Sequence, residues 1–346
     1  VNGTQTMHTA LLALELAPGD EVIVPPLTMS STSLAVLEAG CIPIFADVQI
    51  DTFNLDPDDV ERKITSKTKA IISVALYGLP PDYDGLLAIC NKYNLALIED
   101  NAETFLNHYK GRKVGTFGHF SSFSFQASKH ITCGEGGMLV TNSEELADKA
   151  RRFSSLGYAA VNSKQGKISK DDIQSPNYDR HVAIGFNYRM SEVNAAVILG
   201  QLERAEELVD VRVQSAKLFA DAISGFDFII PQAVPQGYEN SYWAYSFYIK
   251  TEEPNNDWFV FRDLFKKNGG DGFYAAWKLT YQEPLYTKHD EIWYKTWQRT
   301  NAYLCPNAEY LQPRMIQLKT NYWDLAEAEE QAKILTLTCK EFKSRG

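Results

Sequence analysis

From residue 20 to residue 142 short apolar runs alternate with amphipathic segments. "EVIVP" (21–25) precedes "SSTSLAVLEAG", "IPIFADV" (42–48) precedes "DPDDVERKIT", and "AIISVALYG" (70–78) precedes "YDGLLAICNKYN". "LALIED" (95–100), "FSSFSF" (120–125) and "MLVT" (138–141) follow. Most of these runs are apolar throughout rather than alternating, as strands covered on both faces are. Strand-like runs punctuated by helical ones predict an α/β fold whose mostly parallel central sheet has helices on both faces.

Downstream the pattern changes. A helical segment, "SEELADKARRFSSLG" (143–157), leads to a polar excursion at 161–181, and long excursions of that kind are often functional. From Ser191 the apolar positions take up a 3.6-residue period as far as residue 224, with Ser191 and Glu192 as a helix-start signal. The pattern predicts one long helix over 191–224, linking a large domain (1–190) to a smaller C-terminal α+β domain (225–346). In the latter, "SYWAYSFYIK" and "GFYAAW" read as strands, and "NDWFVFRDLFKKNG" and the C-terminal "DLAEAEEQAKILTLTCKEFKS" as helices.

The bulk figures narrow the function classes. A chain of 346 residues with a net charge of −10 is a poor match for a nucleic-acid or anionic-membrane surface, although a local basic pocket remains compatible with it. No apolar run is long enough for a membrane span, and no signal peptide is recognisable. The five scattered cysteines form no CxxC pair, so reduced thiols in a cytoplasmic protein and no metal site are expected. The chain opens abruptly, without a start methionine, on a helix-like segment, and an N-terminal piece is expected to be missing from this numbering.

Four constellations could carry chemistry. Asn2, Gly3 and Thr4 precede a helix, so their N–H groups and the Thr4 hydroxyl could hold a phosphate, or simply cap the helix. Asp100 ends an apolar run, at the carboxyl end of a strand where open sheets bind ligands. It could meet a cationic ring nitrogen or serve as a cap, while its neighbour Glu99 reads as structural. Lys129 stands between two strand-like runs, five residues after Ser124 and just before Gly134, Gly136 and Gly137. A lysine desolvated in such a joint can act as a nucleophilic amine, whereas a surface lysine would merely snorkel. Asn187 and Arg189 precede the long helix, where they could cap it or bind an anion. A phosphate cradle, a strand-end acid and a lysine amine together match what pyridoxal phosphate requires.

The sequence resembles the DegT/DnrJ/EryC1/StrS family of sugar aminotransferases over nearly its whole length. The resemblance is carried in order by "PGDEVIVPPLT", "IPIFADVQIDTFNLDP", "ALYGLP", "LIEDNAE", "YKGRKVGTFGHFSSFSF", "SKHITCGEGGMLVTN", "GFNYRMSEVNAAVILGQLER" and "CPNAEYL". It implies a fold-type-I pyridoxal phosphate enzyme with residues 1–190 as the cofactor-binding domain, and a family segment upstream of the present start. By position, Lys129 would form the internal aldimine, Asp100 would bond the pyridine nitrogen, and Ser124 with Gly3 and Thr4 would hold the phosphate. Asn187 would reach the neighbouring subunit's cofactor, which implies a homodimer with shared active sites. Two positions depart from the family. Met29 stands where an aromatic usually covers the ring, and Glu103 where glutamine usually approaches the 3′-oxygen. Methionine can still cover a ring face. A carboxylate would repel a phenolate, so Glu103 is expected to share a proton or shift aside.

The implied reaction moves an amino group from L-glutamate, through pyridoxamine phosphate, to a nucleotide-linked 4-keto-6-deoxy sugar, with freed Lys129 as the proton carrier. The product would serve deoxyamino-sugar and polysaccharide synthesis, and "SKHITCGEGG" looks most like the perosamine- or viosamine-forming branch. Arg189, Lys278 and Arg180 are candidates for the sugar's diphosphate. The alternatives are a same-fold sugar 3-dehydratase, which the resemblance associates with histidine in place of Lys129, and a ligand-binding regulator without turnover. His130 is one residue off the position the first alternative needs.

Overall fold

The computed structural model describes residues 1–159, 171, 174–287 and 305–345, so much of the polar excursion at 161–181 lies outside the described residues. Helix α1 (Gly3–Ala13) is followed by β1 (Glu21–Val24), α2 (Ser31–Glu38), β2 (Ile42–Phe45), α3 (Pro57–Arg62), β3 (Thr68–Val74), α4 (Tyr83–Tyr93) and β4 (Ala96–Asp100). A two-stranded ribbon, β5 (His108–Tyr109) and β6 (Arg112–Lys113), precedes β7 (Phe120–Ser124), β8 (Gly137–Val140) and α5 (Glu144–Ser154). The large sheet has the order β2-β1-β3-β4-β7-β8, parallel throughout except for antiparallel β8. Its first three strands have no exposed residue but Lys69, which accounts for their unbroken apolar character.

The expected single helix over 191–224 is two helices, α6 (Glu192–Leu202) and α7 (Ala205–Ile223). The chain leaves helical geometry at Arg204 (φ −117°, ψ 12°), four residues after Gly200, a weak helix former. The break separates two environments. In α6 only Ile198 is buried, whereas α7 buries Ala205, Arg212, Ser215, Ala216, Phe219 and Ile223 along one face. After α7 come β9 (Ile229–Pro231), β10 (Ala244–Ile249), α8 (Pro254–Lys267), β11 (Tyr274–Ala275), α9 (Pro306–Leu311), β12 (Met315–Lys319) and α10 (Leu325–Lys343). The second sheet has the order β11-β12-β10-β9. Its core packs Phe219, Phe247, Phe261, Phe265 and Leu335 between sheet and helices. Ala276, Leu279, Tyr286, Cys305, Ala308, Leu311 and Met315 instead join the apolar cluster that packs on the large sheet. The C-terminal part is therefore fastened to the large sheet by a shared core.

Candidate active site

Parallel strands deliver their carboxyl ends to one edge of the sheet, and there the site is built. β4 and β7 are neighbours with Asp100 opposite Ser122, so Asp100 and Ser124 end adjacent strands. The N-terminus of α1 presses on the same edge. A Cβ on Gly137 would lie 2.5 Å from the Asn2 backbone, so that close approach needs glycine, and one on Gly3 would crowd the Ser124 Cβ at 3.0 Å. Asn2 caps α1 by accepting from the Gln5 N–H at 2.9 Å. Gly3 and Thr4 follow the cap as the first two helical residues, whose N–H groups have no acceptor within the helix and remain available to an anion.

One cavity of about 820 Å³ gathers Gly3, Thr4, Met29, Asp100, Glu103, Ser124 and Lys129. It is also lined by Arg212, Trp243, Tyr274, Trp277 and Lys319, so both sheets contribute walls. The Thr32 hydroxyl donates to Asp100 Oδ2 at 2.9 Å, and the Ala102 N–H to Oδ1 at 3.2 Å. Burial dominates and pushes the Asp100 carboxyl above its ordinary value, against the pull of those two donors and of Lys129. A cationic partner brought to Asp100 would relieve that penalty.

Glu99, the adjacent acid, points to the opposite face and is fully buried. Its carboxylate accepts from the N–H groups of Gly115, Phe117 and Gly118 and from the Ser121 hydroxyl, at 2.7–2.8 Å. It is a staple for the loop leading into β7. Period-two alternation thus splits the pair into one structural acid and one facing the cavity.

Lys129 Nζ lies 3.6 Å from Glu103 Oε1 and 4.5 Å from the centre of the Trp243 ring. Glu103 Oε2 accepts the Tyr77 N–H at 3.0 Å. Here too burial is the largest influence and raises the Glu103 carboxyl, with Lys129 pulling it down less strongly. The Glu103 side chain has stayed in the cavity rather than moved aside, beside the amine. Met29, half exposed, lines the cavity mouth. His130 is buried and its Nε2 lies 2.9 Å from the Ser241 carbonyl oxygen, so its ring is engaged away from the amine.

Asn187, Arg189, Arg180 and Lys278 do not join this cavity within the chain. All four are exposed. Around Asn187 and Arg189 the extended segment alternates. Tyr188 and Met190 face a smaller cavity of about 370 Å³ while Asn187 and Arg189 face outward. Lys278 is turned away in the same manner, since its neighbour Trp277 takes the cavity side. Arg180 accepts the Ala159 N–H through its carbonyl. Charge alone selected Lys278 and Arg180, and charge carries no direction. Four contributors escaped the sequence reading: Thr32, Arg212, Trp243 and Trp277. Arg212 left one legible signal, a cation in phase with the apolar positions of α7.

A mostly parallel sheet with an acid, a serine and a lysine at one edge is the arrangement of fold-type-I pyridoxal phosphate-dependent transferases. The model of the DegT/DnrJ/EryC1/StrS aminotransferase family matches residues 1–336, and the chain belongs to that family. It is 38% identical over 256 residues to the GDP-perosamine synthase of Escherichia coli O157:H7, covering 74% of this chain and 66% of that protein. With the GDP-perosamine synthase of Caulobacter vibrioides it shares 42% identity over 212 residues, 61% of this chain and 53% of that protein. The matched regions thus span between half and two thirds of those relatives. Among solved structures, an aminotransferase from Psychrobacter cryohalolentis superposes with a TM-score of 0.85 at 27% identity, covering 100% of this chain and 87% of that one. A mutant of GDP-4-keto-6-deoxymannose-3-dehydratase with bound GDP-perosamine gives 0.82 at 26%, covering 96% and 86%.

Proposed function

We propose that the protein is a pyridoxal phosphate-dependent aminotransferase that carries an amino group from L-glutamate to a GDP-linked 4-keto-6-deoxy sugar. The observation that carries this reading is the meeting of Gly3, Thr4, Asp100, Ser124 and Lys129 in one cavity. The set fits the cofactor: first-turn N–H groups and a serine for its phosphate, a buried acid for its ring nitrogen, an amine for its aldehyde. Bound pyridoxal phosphate supplies an aldehyde carbon and an electron-accepting ring. Asp100 would hold a proton on the ring nitrogen, and bonding to that cation would offset the cost of its own burial. Lys129 would serve as the covalent anchor and, once displaced, as the base that moves a proton between substrate and cofactor. Glu103, beside the amine, would keep a proton there rather than present a bare carboxylate.

Trp243, Trp277 and Tyr274 line the cavity and would pack the sugar and keep water out. The GDP series is favoured by the names of the relatives. Amine transfer is favoured over 3-dehydration by Lys129 at the cavity and by the engagement of His130 with Ser241. The assembly would be a homodimer. α6 exposes Val193 (73%) and Leu199 (62%), with Val182 and Ile184 nearby, and a second copy would cover them. Asn187 and Arg189 lie just before that helix and would face the partner's cavity.

The test is direct. Pyridoxal phosphate added to the protein should give a visible absorption band, and borohydride should fix the cofactor to the peptide containing Lys129 but not to Lys129→Ala. L-glutamate should bleach the band, and GDP-4-keto-6-deoxymannose should restore it with release of an aminated sugar. Absence of the band with cofactor in excess would overturn the reading. Elimination without amine transfer would favour the dehydratase.

A further inference from the structure

Arg212 on α7 is 4% exposed, and its guanidinium forks between residues 128–129 on one side and Trp243 with Thr320 on the other. Nη1 donates to the Trp243 carbonyl at 3.0 Å and to the Thr320 hydroxyl at 3.2 Å. Nη2 donates to the carbonyls of Lys129 at 3.2 Å and Ser128 at 3.5 Å. Among the described residues these acceptors are all neutral oxygens, with no carboxylate beside them. A cation buried without a counter-charge is costly, and a neutral, well-packed side chain would serve plain stability better. Burial lowers this guanidinium to about 10, which leaves it charged at neutral pH.

The same turn is gripped twice more from the same side. The Trp243 indole N–H donates to the Ser128 carbonyl at 2.8 Å while its ring faces the Lys129 amine. His130 Nε2 lies 2.9 Å from the Ser241 carbonyl, and burial holds that imidazole neutral, near 3, so it donates a single N–H there. Ser128 and His130, on either side of Lys129, are thus tied to Trp243 and Ser241. Arg212 bonds both segments at once.

We propose that Arg212 is a positioning residue for Lys129: it fixes the lysine's backbone and the facing Trp243 ring in one frame, so that the amine swings through a fixed arc across the cavity. Lysine could not replace it, because one ammonium on a flexible stem cannot bridge two sides as a planar fork does. The inference rests on Lys129 being the covalent anchor.

The test follows the rate at which apo-protein captures pyridoxal phosphate, quenched with borohydride and read by mass on the Lys129 peptide. Arg212→Lys keeps the charge and one donor, so its melting temperature should stay near the parent's while capture slows by roughly tenfold or more. In a Lys129→Ala background the same substitution should weaken non-covalent cofactor affinity far less than it slows capture. Capture at the parent rate would overturn the proposal, and so would an equal loss of non-covalent affinity, which marks a merely structural role. If Arg212 variants do not fold, Trp243→Phe removes the grip on Ser128 and should slow capture likewise, and an unchanged rate there also overturns it. A parent protein that captures no cofactor on Lys129 would instead refute the anchor assignment beneath it.

Discussion

Glu103→Gln isolates the electrostatics of the site. Glu103 is 4% exposed, with one oxygen on the Tyr77 N–H and the other 3.6 Å from the Lys129 amine. At that separation the gross attraction is about 4–5 kcal/mol for an effective dielectric of about 20. Burial nevertheless outweighs it, since the carboxyl is raised above its ordinary 4.5. The ionised side chain is therefore a net cost to the folded apo-protein. Glutamine keeps the shape and can still accept from Tyr77, without the charge.

The sign follows from proton linkage. Below about pH 4 Glu103 is neutral in both the folded and the unfolded chain, so the variant gains nothing from removing a charge. As pH rises through the ordinary value, the unfolded chain loses its proton first and the folded one retains it, so the parent loses stability relative to the variant. The loss has a limiting slope of about 1.4 kcal/mol per pH unit and ends above the folded pKa. Urea unfolding of both apo-proteins from about pH 4 to about pH 8 should show the variant's relative stability rising with pH and then levelling. A flat difference would mean that burial and the Lys129 attraction cancel, and a falling one that the ion pair wins. Either result refutes the claim that Glu103 favours its protonated form.

Two further outcomes test the frame around the site. Glu99→Ala should destabilise the apo-protein by about 3 kcal/mol or more, because it strands the N–H groups of Gly115, Phe117 and Gly118 and the Ser121 hydroxyl in the interior. A loss below about 1 kcal/mol by urea titration would contradict the staple role. Val193→Glu with Leu199→Glu places two charges on exposed positions of α6 and should convert the proposed dimer to monomers in sedimentation velocity. An unchanged sedimentation coefficient would move the interface elsewhere.

The inner half of the site was legible because its signals are local. Asp100 and Ser124 end strands, Gly3 and Thr4 open a helix, and Lys129 sits in the turn between two strands. Each can be located from its own few neighbours once the sheet is recognised. The separation of Glu99 from Asp100 was equally accessible, since adjacent strand residues face opposite ways. The outer half was hidden because it exists only in contacts between distant segments. Thr32 reaches Asp100 from 68 residues away, and Arg212 reaches Lys129 from 83. No periodicity reports such a meeting. The break at Arg204 and the short strand β12 were missed for a related reason: both depend more on which core the chain enters next than on the residues at the spot.

What the sequence could suggest about Arg212 is instructive. A cation in phase with an apolar stripe conflicts with local pattern, and such conflicts gather at functional sites. Arg212, Asp100 and Glu103 all pay desolvation in the apo-protein, and among the described residues only Glu103 is within ion-pair distance of an opposite charge, Lys129, which acts on Asp100 from farther off. The cavity is therefore electrostatically unfinished. A ligand with a cationic ring nitrogen relieves Asp100, and one with a phosphate answers the N–H groups at the start of α1. One molecule carrying both at opposite ends would satisfy the two needs in a single orientation. The costs of burial would thus become selectivity for that orientation, and Lys129 lies within the same cavity, where the proposed function would have it fix such a ligand covalently.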